Sequence, residues 1–101
     1  MSRRPEFHKL LVDFLGSGHV YFQPPESVKL SYPCIIYKLD NFDVRHANNQ
    51  LYLGKDRYAV TLISKDPDWD KVRELLKWQY CSFDRHFTSD NLNHWTYEIY
   101  Y

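Results

Sequence analysis

The C-terminal stretch CSFDRHFTSDNLNHWTYEIYY crowds the residue types that catalysis and metal binding use. Cys81, His86 and His94 are candidate zinc ligands, with Cys34 and His46 further back in the chain. Ser82 or Ser89, Asp84 or Asp90, and His86 or His94 supply the letters of a hydrolytic triad. The spacings argue against both. No C-x2-C pair occurs, and the interval from Cys81 to His86 matches no common zinc pattern. No G-x-S-x-G elbow or glycine-rich oxyanion loop accompanies the serines, and triads depend on geometry rather than on letters. Read as a strand, FDRHF sends Asp84 and His86 to the same face, which makes a polar face and a turn rather than a relay.

The chain holds three glycines, with neither G-x-G-x-x-G nor a Walker loop, so no phosphate-cradling motif is present. Tyr21, Phe22, Tyr37, Tyr97 and Tyr100 could in principle stack nucleic-acid bases. Their neighbours are acidic as often as basic, and a formal net charge of +0 lacks the basic excess that captures a phosphate backbone. The same balance argues against a membrane-surface binder, and no long apolar run marks a spanning segment or a secretory leader. Two scattered cysteines make no disulfide framework, which points to free thiols in a reducing compartment. The reading is therefore of no catalytic residue, no metal and no cofactor.

Elements that would position these side chains follow from periodicity. PEFHKLLVDFLG places Phe7, Leu10, Leu11, Phe14 and Leu15 on one helical face, with Pro5 in the first turn and Gly16 as the stop. Val20–Gln23 is a short strand that, followed by two prolines, lies at a sheet edge or ends there. Tyr32-Pro33 leads into a second strand, Cys34–Leu39, whose nearly continuous apolar run expects cover on both faces. DVRHANNQLYLGKD reads as a long, mobile hairpin loop with a polar middle. DRYAVTLISK alternates cleanly, with Tyr58, Val60 and Leu62 on one face. KDPDWDKVRELLKW is a second helix with Asp66 as N-cap, Pro67 at N1 and a buried stripe of Trp69, Val72, Leu75 and Leu76. YCSFDRHF and HWTYEIYY are strands joined by the loop TSDNLN. Phe83, Leu92, Trp95, Tyr97 and Ile99 are their apolar ballast, and Asn91 and His94 orient the hairpin. The 101 residues suit one domain over 1–101. Its class is α+β, two helices packed on a mostly antiparallel sheet in the order α-β-β-β-α-β-β.

Three blocks carry a resemblance: VYFQPPESVKLSYPCIIY, ANNQLYLGKDRYAVTLISKDPD and CSFDRHFTSDNLNHWTYEIYY. Together they resemble the small tail completion, tail terminator or head–tail joining proteins of long-tailed bacteriophages, over about Leu10 to Tyr101. The resemblance implies a structural protein that forms a ring, usually sixfold, at the head-proximal end of the tail tube. Such a ring ends tube growth and docks the tail to the head connector. It implies as partners further copies of the chain, the tail tube protein and the connector or stopper protein, with genome DNA passing through the lumen without sequence-specific binding. It implies no catalysis, no cofactor and no membrane. It places the protein in the neck of the virion, after assembly in the cytoplasm of the host bacterium. The runner-up is a head-completion or stopper protein on the portal side of the joint. A ring requires a heterologous interface that closes on itself. The segment from Arg45 to Arg57 is the expected assembly element, ordering on binding, with Arg45, His46, Asn48, Asn49, Tyr52, Lys55 and Arg57 as the residues that make contact.

Overall fold

The computed structural model describes residues 3–47 and 50–101; for 41–47 and 50–55 the description is of the backbone. The elements are α1 (Arg4–Leu15), β1 (Val20–Phe22), β2 (Cys34–Ala47), β3 (Gln50–Ser64), α2 (Lys71–Leu75), β4 (Cys81–Ser89) and β5 (Leu92–Tyr100). The strands form a sheet in the order β1-β2-β3-β5-β4. All neighbours are antiparallel except β1 and β2, which run parallel. The α+β class and the element order agree with the reading of the sequence.

Helix α1 begins beside Pro5, whose missing N–H costs nothing there, and ends at Gly16 in the left-handed region (φ 82°). The Gly16 N–H closes the last turn on the Val12 carbonyl at 2.9 Å. Only Phe7 and Leu11 of its apolar stripe are fully buried; Phe14 and Leu15 pack at the margin, and Leu10 remains 42% exposed. One helix on a twisted sheet contacts it along a narrow line, so a five-residue stripe is wider than the sheet can cover.

The helix-facing side of the sheet makes the core. Ile35 and Tyr37 of β2 lie beside Leu62 and Val60 of β3, which lie beside Trp95 and Tyr97 of β5. Phe7 enters this layer stacked on Tyr58 (4.6 Å between ring centroids) and edge-on to Tyr37 (5.5 Å). Tyr37 is held by polar contacts at its tip. Arg4 Nη1 donates to its hydroxyl at 3.4 Å, and the hydroxyl lies 2.7 Å from His8 Nδ1. Burial, helped by the Arg4 charge, lowers the His8 pKa. The other side of the sheet is covered over Cys34 and Ile63, both buried. The segment from Gln23 to Pro33 crosses back over this side to join two parallel strands, and the Ser31 N–H reaches the Tyr21 hydroxyl at 3.3 Å.

Three local expectations need correction. The polar stretch expected as a long hairpin loop is paired strand almost throughout, with β2 running on to Ala47 and β3 starting at Gln50. A ladder needs a partner backbone rather than an apolar sequence, and β2 and β3 supply one another. The second helix starts later and is much shorter than expected. Asp66 does accept a backbone N–H, from Asp68 at 2.9 Å, but this closes an Asx turn before the helix. The stripe of that helix is also narrower: Leu75 is buried, Trp69 and Val72 are partly so, and Leu76 is exposed. Finally, the expected TSDNLN loop is a two-residue connection. Asp90 (φ 54°) and Asn91 (φ 63°) make the turn, and Ser89 pairs directly with Leu92. Positive φ at both central positions matches the right-handed strand twist, and Asp and Asn tolerate it better than most residues.

Helix α2 is tied to the sheet by the Tyr97 hydroxyl, which donates to the Val72 carbonyl at 2.7 Å. Burial pushes the Tyr97 phenol well above its usual range, with a smaller contribution from Cys81. Tyr97→Phe is expected to lower stability by about 1–3 kcal/mol, because the carbonyl loses its partner in a desolvated place. Urea unfolding with an unchanged m-value checks this; an unmoved midpoint would mean that water replaces the phenol.

Candidate assembly surface

The residues with chemical potential are kept apart. Strand β4 carries a bulge between Phe83 and Arg85, so the face alternation shifts by one residue at Asp84. Asp84 then accepts a hydrogen bond from Thr96 Oγ1 at 3.0 Å, while His86 lies on the helix-facing side against the Trp95 ring, 5.3 Å between centroids. The expectation that both share one face is thus overturned by the bulge, and no Asp–His pairing forms. His86 Nε2 contacts Asn93 Oδ1 at 3.1 Å instead. His94 stacks on Phe87 at 4.7 Å, with its Nδ1 beside the Leu92 carbonyl. Cys34 and Cys81 are free, and burial raises each thiol to about 11, the opposite of a reactive cysteine. Among the described residues, no group of three or more His, Cys, Asp or Glu is placed to hold a metal ion. Nor is any described helix long and apolar enough to cross a membrane.

What the fold presents instead is backbone. On one side, β1 stops pairing with β2 at Phe22–Tyr37; on the other, β5 begins pairing with β3 at Arg57–Tyr100. Tyr101 adds a last pair of backbone hydrogen bonds to Asp56, at 2.9 and 3.3 Å. Beyond that level the β2–β3 hairpin continues as a two-stranded ribbon, with no third strand among the described residues. Seven residues from Asn41 to Ala47, at about 3.3 Å each, carry it about 23 Å past the sheet. The longest dimension of the molecule, 50 Å against 27 and 23 Å, reflects this arm.

The arm holds most of the contact residues expected from the sequence. Arg45 and Tyr52 are direct cross-strand partners, and His46 is paired with Leu51. Lys55 falls with Gly54 in the irregular stretch between the pairs Phe42–Asp56 and Val44–Leu53. Asn48 and Asn49 lie outside the described residues. Arg57 belongs to the base of the arm rather than to its tip. Its Nε donates to Asp40 Oδ2 at 2.9 Å, an exposed ion pair that solvent screens.

A second feature escaped the reading of the sequence. Strand β4 is a nine-residue sheet edge on which every residue after Cys81 is exposed. Phe83, expected as core ballast, is 45% exposed, and Phe87 is 39% exposed. Phe83 points to the helix-facing side, where α2 is too short to cover it, and Phe87 to the other. The two phenylalanines on an otherwise polar strand were the available signal. Comparison with known proteins finds no family model, curated protein or solved structure that matches the chain.

Proposed function

We propose that this chain is a structural virion protein of a long-tailed bacteriophage. It assembles as a ring, sixfold by the resemblance of its sequence blocks, at the head-proximal end of the tail tube. There it ends tube growth and docks the tail to the head connector. The observation that carries the reading is the β2–β3 arm, an extended ribbon leaving a small body. A lone two-stranded ribbon is at best marginally stable in water, so its retention at this length is explained by partners that complete it. Tyr and Arg, the residue types at the paired positions 45 and 52, are those that dominate protein–protein contacts. A net charge of +0 suits a subunit that lines a passage for DNA without gripping it.

Electron microscopy of particles assembled without this gene tests the assignment. Overlong or ragged tails that never join heads are the expected result. Tails of normal length beside heads that have leaked their DNA would place the protein on the portal side, as a stopper.

A further inference from the structure

The two edges of the sheet are matched to one another in direction, level and side-chain character. We infer that copies of this chain join head to tail, with the β4 edge of one copy pairing antiparallel with the β1 edge of the next. This inference rests on the ring reading and names the interface that would build the ring.

Direction follows from the topology. Strand β1 is parallel to β2, and three successive antiparallel steps then lead through β3 and β5 to β4. The two edges therefore run in opposite senses. Copies that stand side by side in one orientation bring β4 against β1 as an antiparallel pair, the stronger and commoner kind.

Level follows from the register. One line across the sheet runs Tyr21–Ile36–Thr61–Thr96–Arg85, and the adjacent line runs Val20–Ile35–Leu62–Trp95–His86. Phe22 reaches Phe83 in the same way through Tyr37, Val60 and Tyr97. The three residues of β1 thus stand at the height of the middle of β4. Neighbours that join at equal height have no offset along the strands, which is what a ring around an axis parallel to the strands requires.

Side chains agree with both. Arg85 would face Tyr21, a cation beside an aromatic ring, and Phe83 would face Phe22. Further down, Phe87 would meet His19, whose carbonyl already accepts from Ile35 N–H toward β2. The two phenylalanines left exposed on β4, in contact with Tyr97 and His94 of their own sheet, are the two that acquire a further aromatic partner. Limits on the contact are built in as well. Pro24 and Pro25 stop any longer pairing on the β1 side, and the bulge at Asp84 interrupts β4. Such an edge accepts a short matched strand and resists open-ended aggregation.

Backbone alternation makes the contact testable by cross-linking. His19 C=O and Gln23 N–H both bond to β2, which turns the backbone groups of Tyr21 toward β2 as well. Tyr21 is then a non-hydrogen-bonded position on the free edge, where facing Cα atoms lie about 4.5 Å apart, within disulfide reach. The Tyr21→Cys, Arg85→Cys double variant is oxidised at high protein concentration, and its oligomeric state before oxidation is measured by sedimentation. The expected result is loss of most of the monomer band to a ladder on a non-reducing gel, while each single variant stays monomeric on the gel. The His19→Cys, Phe87→Cys pair repeats the test in case Tyr21→Cys disturbs the fold. Cross-linking of Arg85→Cys alone would overturn the head-to-tail contact in favour of a two-fold β4–β4 pairing. Chains that sediment as oligomers yet cross-link through neither pair would overturn the interface while leaving the ring intact. Chains that neither sediment as oligomers nor cross-link would overturn both.

Discussion

Phe7→Ala is expected to cost about 3–5 kcal/mol of folding stability, the range for removing a buried ring that its surroundings cannot replace. Phe7 is fully buried and meets three aromatic rings: Tyr58 face to face, Tyr37 edge-on and Tyr101 at 5.3 Å. It is also the residue through which α1 enters the sheet. These three tyrosines belong to β2, to β3 and to the end of the chain, so the cavity left by alanine opens at a junction that cannot collapse from one side. A domain of this size has about 5–15 kcal/mol in total, and each kcal/mol lowers the melting temperature by about 4–8 °C. The variant should therefore be largely unfolded at temperatures where the parent is folded. Leu10→Ala is the control, because Leu10 occupies the same apolar stripe but stays exposed; its change should remain within about 0.5 kcal/mol. Thermal unfolding by circular dichroism separates the two. Equal losses would show that the stripe is buried evenly and that the aromatic junction described above is wrong.

That contrast shows where the sequence is informative. Periodicity places Phe7 and Leu10 alike, because it reports the direction a side chain takes from its helix but not how far the facing surface extends. In β3 the two questions have one answer: Tyr58, Val60 and Leu62 alternate with Ala59 and Thr61, and all three are buried. The edge position of β1 was legible from its prolines, whereas its parallel pairing with β2 was not, since strand partners are chosen between distant segments. Asp66-Pro67 is ambiguous in itself. The same two residues suit a helix cap and an Asx turn, and here the Asp66 carboxylate closes the turn on the Asp68 N–H. The candidate surface was legible in part. A hairpin segment around residues 45–57 stands out by composition, but its continuous strand pairing is hidden because a ribbon held by its own backbone needs no apolar signature. The β4 edge is hidden for the opposite reason: Phe83 reads as core because aromatic residues usually are buried.

Shortening the arm separates assembly from folding. Replacing residues 44–53 by a two-residue Asn-Gly turn should leave the body folded, with stability changed by no more than about 1 kcal/mol, because a two-stranded ribbon without a packed face adds little. The core side chains, the α1 contacts and the β3–β5 ladder all lie below the cut. Association should weaken far more. Removing one dominant contact residue from a protein interface costs about 2–4 kcal/mol, and about 1.4 kcal/mol is tenfold in affinity, so a loss of roughly 30- to 1000-fold is expected for each contact that the arm makes. In a closed ring every subunit uses that contact, and the loss is incurred at each joint. Arg45→Ala and Tyr52→Ala, at directly paired positions, should reproduce part of the effect with the hairpin intact. Sedimentation of the purified chain and incorporation into particles are the readouts, with circular dichroism as the check on folding. A shortened chain that enters particles as well as the parent would remove the arm from the assembly mechanism, and the β1–β4 edges would then have to hold the ring alone.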